Sequence, residues 1–353
     1  MDWRRKVSSA FIAAVALWLT ALSPGQSSAE TILKFSHTDQ PGGSRHKAAE
    51  LFAQKVAEYT QGRYEVRVFP AGQLANDPKA IEQLQFGGID FTVSSTGSYA
   101  THLPSLNLTM LPFLVENYEQ GWKFYDESKW LKKQFALAPA KGFRFLATWE
   151  AGFRNITTKE PLTTPADARG RKLRSFPNEM MRWALEAMGF SVQIMPLPEV
   201  YLAIQQGAVA GQENPIDTIY SNRFYEVAPY ITLTNHVYSP IPLAISEKTW
   251  QKLSSQDQAA VMKAAQEAAD WSRKNIRNND ELQLKDMESK GAKVSRPDIG
   301  PWRDAVRPVT VEARKKYGAD VDAILADAEA VREALPARSG DYNLDKAISG
   351  RYE

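Results

Sequence analysis

The chain has 353 residues, enough for one large core or two ordinary ones, and its 43% hydrophobic and 24% charged side chains are those of a soluble globular protein. A formal charge of +2 gives no basic excess for nucleic acid or an anionic membrane surface, and zero cysteine excludes thiol catalysis, iron–sulfur clusters and thiolate zinc sites. GxSxG, HExxH and P-loop signatures are missing, and His37, His46, His102 and His236 have no metal-ligand spacing, so neither a cofactor nor a metal is expected.

Asp2-Trp3-Arg4-Arg5-Lys6, the apolar run 9–22 and the small residues Ser27-Ser28-Ala29 follow one another as in a secretory leader. This predicts export to the periplasm and a mature chain from Glu30; a retained N-terminal anchor is the alternative. Loss of 1–29 removes Arg4, Arg5, Lys6 and Asp2 and takes the formal charge to zero. Residues 31–37 alternate as a strand, 44–60 form a helical face of Ala48, Leu51, Phe52, Val56 and Tyr59, and 64–69 alternate again. A helix over 77–86 leads through Gly87-Gly88 to a buried-type strand at 89–94, making right-handed βαβ units. Residues 103–115 are apolar, 118–137 read as one aromatic-rich helix, and 142–148 as a strand ending in Trp149-Glu150-Ala151-Gly152-Phe153-Arg154-Asn155.

The densest pattern lies over 170–215. Residues 172–176 read as a strand, a helix after Pro177 stops at Gly189, and 190–195 alternate. Pro198-Glu199 opens a helix that stops at Gly207, and 209–211 return a short strand before Gln212-Glu213-Asn214-Pro215. Such a doubly wound unit binds ligands at the carboxyl ends of its strands, where Arg174 and Asn214 fall. The front segment 70–97 has the same order of proline, helix, glycine, strand and polar loop, which suggests one solution used in two lobes. A further strand is expected near 237–245, with lobe crossings near 148–152 and 235–241. Residues 254–290 hold no Pro or Gly and predict either two helices broken near Asn278-Asn279 or one rod across both lobes; 301–335 is further helix, and 336–353 lack a pattern.

Arg154 and Arg174 stand at presumed strand ends beside aromatic residues, and a guanidinium fork matches a carboxylate bidentately. Their alternative is surface pairing with Glu150 or Glu179. His37, also at a strand end, is a pocket candidate. Trp149, Phe153 and Phe176 offer flat surfaces for stacking, or core.

The segments KLRSF, PLPEVYLAIQQGAVAGQENP, RFYEV, TNHVYS, FPAGQLANDPKAIEQLQFGGIDF and EAGFRNITT resemble the substrate-binding proteins of TRAP (tripartite ATP-independent periplasmic) transporters, the DctP family, over essentially the whole mature chain. The resemblance implies an α/β, two-lobed periplasmic solute-binding-protein fold with a ligand cleft, hinge strands and a long domain-spanning helix. It divides the mature chain into a first lobe (30–150 and 239–279) and a second (151–238 and 280–353). It implies capture of a small organic acid for membrane permease subunits, with no nucleic acid as partner and no catalysis. A periplasmic sensor for a chemoreceptor or sensor kinase, and a two-lobed enzyme, are the other classes. The family's principal carboxylate-binding arginine falls on Arg174, its second on Arg154 and its asparagine on Asn214. His37, Ser95, Tyr99 and Asp217 complete the expected contacts. Three departures stand out. Ala210 replaces an aspartate of the Gly-x-Val-Asp-Gly turn, Ser95 stands where sialic-acid binders have a glutamate, which argues against sialic acid, and Leu197 stands where they have an aromatic, which makes that wall of the pocket aliphatic.

Overall fold

The computed structural model describes residues 31–336; the expected leader and the segment from 337 onward lie outside them. The alternation at the front gives β1 (Thr31–Ser36), with Leu33 and Phe35 turned into a core. α1 (Ser44–Tyr59) crosses to β2 (Tyr64–Phe69), and α2 (Asp77–Phe86) crosses back to β3 (Phe91–Val93); both strands flank β1 in parallel. α2 has the bounds its sequence predicts because Asn76 accepts from the Lys79 N–H at its start and Gly87 takes a left-handed φ of 76° at its end.

Turns over Thr96–Thr101 and Pro104–Met110 follow, then α3 (Tyr118–Glu127) and α4 (Lys129–Phe135). The single helix expected over 118–137 is broken at Ser128, which leaves helical geometry and uses its hydroxyl to accept from the Leu131 N–H. β4 (Phe143–Trp149) returns to the first sheet, and β5 (Phe153–Thr158) opens the second. β5 escapes sequence reading because all six of its residues are buried, so a polar FRNITT shows no alternation.

In the second lobe β6 (Lys172–Ser175), α5 (Glu179–Ala187), β7 (Ser191–Ile194), α6 (Val200–Gln205) and β8 (Gly211–Pro215) build the expected doubly wound unit, with β7 and β8 parallel on either side of β6. One edge of each sheet is thus the same motif, β2-β1-β3 in one and β7-β6-β8 in the other. The third strand differs from expectation: 209–210 is its approach, and Gly211–Pro215 is the strand itself. The Ala210 backbone is held from both sides, its N–H by the Lys172 carbonyl and its carbonyl by the Lys159 N–H.

α7 (Ile216–Ser221) and α8 (Phe224–Val227) lead to β9 (Tyr230–Tyr238), antiparallel to β5, and β10 (Ile241–Ser246) re-enters the first sheet between β3 and β4. The chain therefore crosses between sheets at 150–152 and again at 239–240. After α9 (Glu247–Lys252), α10 (Ser255–Ser289) is one unbroken rod of 35 residues. Its front half buries Val261, Ala264, Ala265 and Ala268 in the first-lobe core, and its polar back half still buries Leu284 and Met287 in the second. Asn279 folds its amide back onto the Asn275 carbonyl, which removes the expected break. β11 (Lys293–Ser295), α11 (Gly300–Tyr317) and α12 (Ala319–Ala334) finish the described chain. α11 packs on α5, whereas Asp320 and Asp327 of α12 accept from Trp130 and Ser128. The C-terminal helices therefore touch elements of both lobes.

Candidate functional site

A partly enclosed cavity of about 100 Å³ lies between the lobes. Asp77, Pro78, Ser98 and Thr101 line it from the first lobe; Arg174, Phe176, Pro177, Leu197 and the segment 194–196 line it from the second. Its walls are the α2 start, the turn after β3 and the ends of β6 and β7, so the carboxyl ends of parallel strands do converge here.

Arg174, at the end of β6, is 3% exposed, and Nε donates to the Met195 carbonyl at 3.0 Å. Among the described residues that is its one hydrogen bond, which leaves the two Nη groups uncommitted. Burial draws its pKa down from 12.5 to about 10, with Glu213 opposing the shift and Arg154 adding to it. The guanidinium is still charged at neutral pH.

Arg154 is committed instead. Its Nε and Nη2 donate to the Glu213 carboxylate, Nη2 also to the Asn214 side-chain carbonyl at 3.1 Å, and Nη1 to the Ser239 hydroxyl at 3.2 Å. The guanidinium carbon lies 5.0 Å from the Phe176 ring centre. Glu213, fully buried on β8, also accepts from the Ser175 hydroxyl at 2.9 Å. Burial alone would raise its pKa, but Arg154 and His236 outweigh burial and hold it at about 2. His236 is kept below its ordinary pKa by burial, with Nε2 at 3.5 Å from Glu213, too far for a good hydrogen bond. Ser95 meets Ser239 at 3.2 Å, which carries the chain of polar contacts from Arg154 into the first lobe.

The structure thus brings Arg174, Phe176 and Leu197 to the cavity, with Arg154 and Asn214 behind Phe176 and Ser95 at the lobe junction. Neither arginine uses the expected alternative partner: Arg154 takes Glu213, and Glu179 takes Lys316. Five expected residues lie elsewhere. Trp149 is sealed in the first-lobe core against Phe35 and Phe52, its indole N–H donating to the Ala265 carbonyl, because the pleat of β4 turns it toward α10. Tyr99 packs on Phe143 and Phe145 with its hydroxyl on the Pro242 carbonyl. His37 is buried beside His46 at 3.1 Å, and burial first, then Arg45, hold its pKa well below 6.5. Asp217 accepts from the Ser44 N–H at 2.8 Å, so it serves the start of α1. Phe153 packs on Tyr118 and Tyr238.

Sequence reasoning missed Asp77, Ser98 and Thr101 in the cavity and Glu213 behind it. The internal echo carried a signal for the first of these: if 196–199 enters a pocket, the equivalent stretch before α2 should face it. Among the described residues no group of three or more His, Asp or Glu is placed to hold a metal ion.

The chain is 30% identical over 310 residues to the sialic acid-binding periplasmic protein SiaP of Vibrio cholerae, covering 87% of this chain and 96% of that one. Its structure is similar to the sugar acid binding protein DctPAm of Advenella mimigardefordensis in complex with galactonate, at TM-score 0.83 and 31% identity, covering 86% and 99% of the two chains. It is also similar to a TRAP periplasmic solute-binding protein from Polaromonas sp. JS666 bound to D-erythronate, at TM-score 0.80 and 34% identity, covering 84% and 98%. The sequence profile of bacterial extracellular solute-binding protein family 7, DctP, matches residues 35–316, and the chain belongs to that family.

Proposed function

We propose that this solute-binding protein captures a short hydroxylated carboxylic acid in the periplasm and delivers it, chemically unchanged, to the membrane subunits of a TRAP-type permease. The observation that carries the reading is the pairing of two unlike groups in one cavity between the lobes. Arg174 brings two uncommitted Nη donors from the second lobe, and Asp77 brings a carboxylate from the first. A ligand carboxylate meets Arg174 in a charge-assisted, bidentate pair. Asp77 already accepts from the Ser94 hydroxyl at 2.8 Å and the Thr38 hydroxyl at 3.0 Å, with the Arg45 guanidinium 3.9 Å from the oxygen that Ser94 binds, and the oxygen facing Thr38 keeps a further lone pair for a ligand hydroxyl. A second carboxylate at that end would meet like charge. The volume of about 100 Å³ falls below the usual range for drug-sized ligands and suits a short acid. The relatives named above carry sialic acid, galactonate and D-erythronate in their names, each a hydroxylated acid. Their periplasmic setting, with the leader-like order of residues 1–29, supports export of this chain.

Titration calorimetry with D-erythronate, D-galactonate, D-glucuronate and succinate tests the reading. At least one hydroxy acid should bind roughly tenfold or more tighter than succinate, the worth of one charged hydrogen bond gained and one repulsion avoided. Asp77→Asn should narrow that gap by admitting succinate. A wild type that prefers succinate would sink the assignment of Asp77 to a ligand hydroxyl.

A further inference from the structure

We propose that Thr101, Pro177 and Ile194 form a chain-length gate, through which the tail of a six-carbon sugar acid passes from the cavity at Arg174 into an open groove outside it. The inference rests on that cavity being the acid site, and it sets the length of acid that the site takes. The groove holds about 330 Å³, against about 100 Å³ inside, and these three residues line both spaces. Their exposure sets them apart from the rest of the inner wall. Ser98, Arg174, Phe176 and Leu197 are buried, whereas Thr101 and Pro177 are exposed and Ile194 is 47% exposed. The inner cavity is therefore deep at the carboxylate end and thin-walled on this side. A volume that suits a short acid has no room for two more hydroxylated carbons, and the exposed side is where they can leave.

The gate is a fixed feature of the fold. Thr101 ends the turn Thr96–Thr101, and Pro177 stands two residues before α5. Behind them, Leu103, Leu106 and Met110 on one side and Met180 and Met181 on the other belong to a single apolar core. Asn107 pins the groove as well, its Oδ1 accepting from the Glu179 N–H at 3.0 Å and its Nδ2 donating to the Tyr317 hydroxyl at 3.1 Å. Ile194 closes the ring from the end of β7, which is an edge strand. The groups along this path suit a polyol, whose carbons show C–H on one side and hydroxyl on the other. Pro177 and Ile194 offer apolar surface. The Thr101 hydroxyl reaches only the Ser98 carbonyl, at 3.5 Å, which is the long limit of a hydrogen bond. Arg182, which lines the groove from α5, lies 3.6 Å from Glu186 in an exposed pair of little worth, so its donors can turn to a tail hydroxyl.

Titration calorimetry with four-carbon D-erythronate and six-carbon D-galactonate reads the gate as a ratio of affinities. The wild type should bind D-galactonate at least as tightly as D-erythronate, because the tail leaves the inner cavity. Thr101→Trp and Ile194→Trp fill the passage from opposite walls, and both positions are exposed, so melting midpoints should stay close to wild type. Each should lower the ratio of D-galactonate to D-erythronate affinity roughly tenfold or more, the scale on which a pocket rejects surplus carbon. Ile194→Ala widens the passage and should not lower the ratio. A fall in that variant as large as with tryptophan would make Ile194 an ordinary contact and overturn the gate. So would a ratio that neither tryptophan moves, or a wild type that binds D-erythronate and rejects D-galactonate; in both cases the acid reading itself would stand. A wild type that binds neither acid would sink the acid reading, and the gate with it.

Discussion

Arg154 and Arg174 have the same charge and nearly the same burial, yet their partners give them different work. Arg154 is saturated by Glu213, Asn214 and Ser239, so its charge is spent inside the protein. Arg174 holds one carbonyl and presents the rest of its fork to the cavity. Arg174→Ala should therefore leave the melting midpoint close to wild type and weaken acid binding by roughly 2–5 kcal/mol, since the ligand carboxylate loses its partner in a desolvated site. Arg174→Lys should recover only part, because an ammonium lacks the planar fork. Arg154→Ala should do the reverse in weight. It strands the buried Glu213 carboxylate and should lower stability by roughly 3–5 kcal/mol. Calorimetry and thermal unfolding on the three variants check this; equal loss of affinity with no stability difference between Arg154→Ala and Arg174→Ala would refute the division of labour.

At the scale of elements, those with a cap or clean alternation were legible in the sequence, and those buried on both faces were not. α2 was readable to the residue because Asn76 and Gly87 mark its ends. β5 and β8 were missed or misplaced because FRNITT and GQENP are polar segments sealed inside a sheet, where their side chains build the site. Trp149 and Phe176 looked alike as aromatics at strand ends; only the pleat and the partner strand send one to the core and the other to the cavity. α10 shows the same limit. Its polar back half hides Asp280, fully buried, accepting from the Tyr118 hydroxyl of α3 at 2.5 Å. Burial raises the Asp280 pKa from 3.8 to about 8, against the lowering effect of Tyr118. Between those two values the folded protein holds a proton that the unfolded chain releases, so stability falls as pH rises through that window, and the whole cost is present above about 8. Buried Glu150, which accepts from Trp122, Tyr238 and the Gly152 N–H at the first crossing, is shifted in the same direction by burial. The melting midpoint should therefore drop from pH 5 to 9, and Asp280→Asn should flatten part of that drop. Parallel curves for wild type and variant would remove Asp280 from the account.

Across the whole molecule, the crossings at 150–152 and 239–240 and the single rod of α10 leave few ways for the lobes to move. They swing about these connections and about the apolar core that the segment 104–131 shares with α5 and α12, which keeps the lobes joined on that side. The contacts that closure makes on the cleft side are small: Ser44 to Asp217, and Gly72 packed so near Pro198 that a Cβ would lie 3.0 Å from its Cγ. Without ligand, closure would leave the buried Arg174 with its donors unmet in the cavity, a cost of the kind that buried unpaired charge carries. The open form should then dominate in the free protein. An acid that joins Arg174 of one lobe to Asp77 of the other supplies contacts no open form can make together. Taking such an equilibrium from mostly open to mostly closed needs about 5.5 kcal/mol of differential binding, within reach of one bidentate pair, a hydroxyl contact and the closure bonds. Small-angle scattering should show the radius of gyration shrink on saturation with whichever hydroxy acid binds in calorimetry. Arg174→Ala at the same acid concentration should show no contraction. A radius that stays constant at proven saturation would mean the cleft is already closed without ligand, and the closure argument would have to be given up.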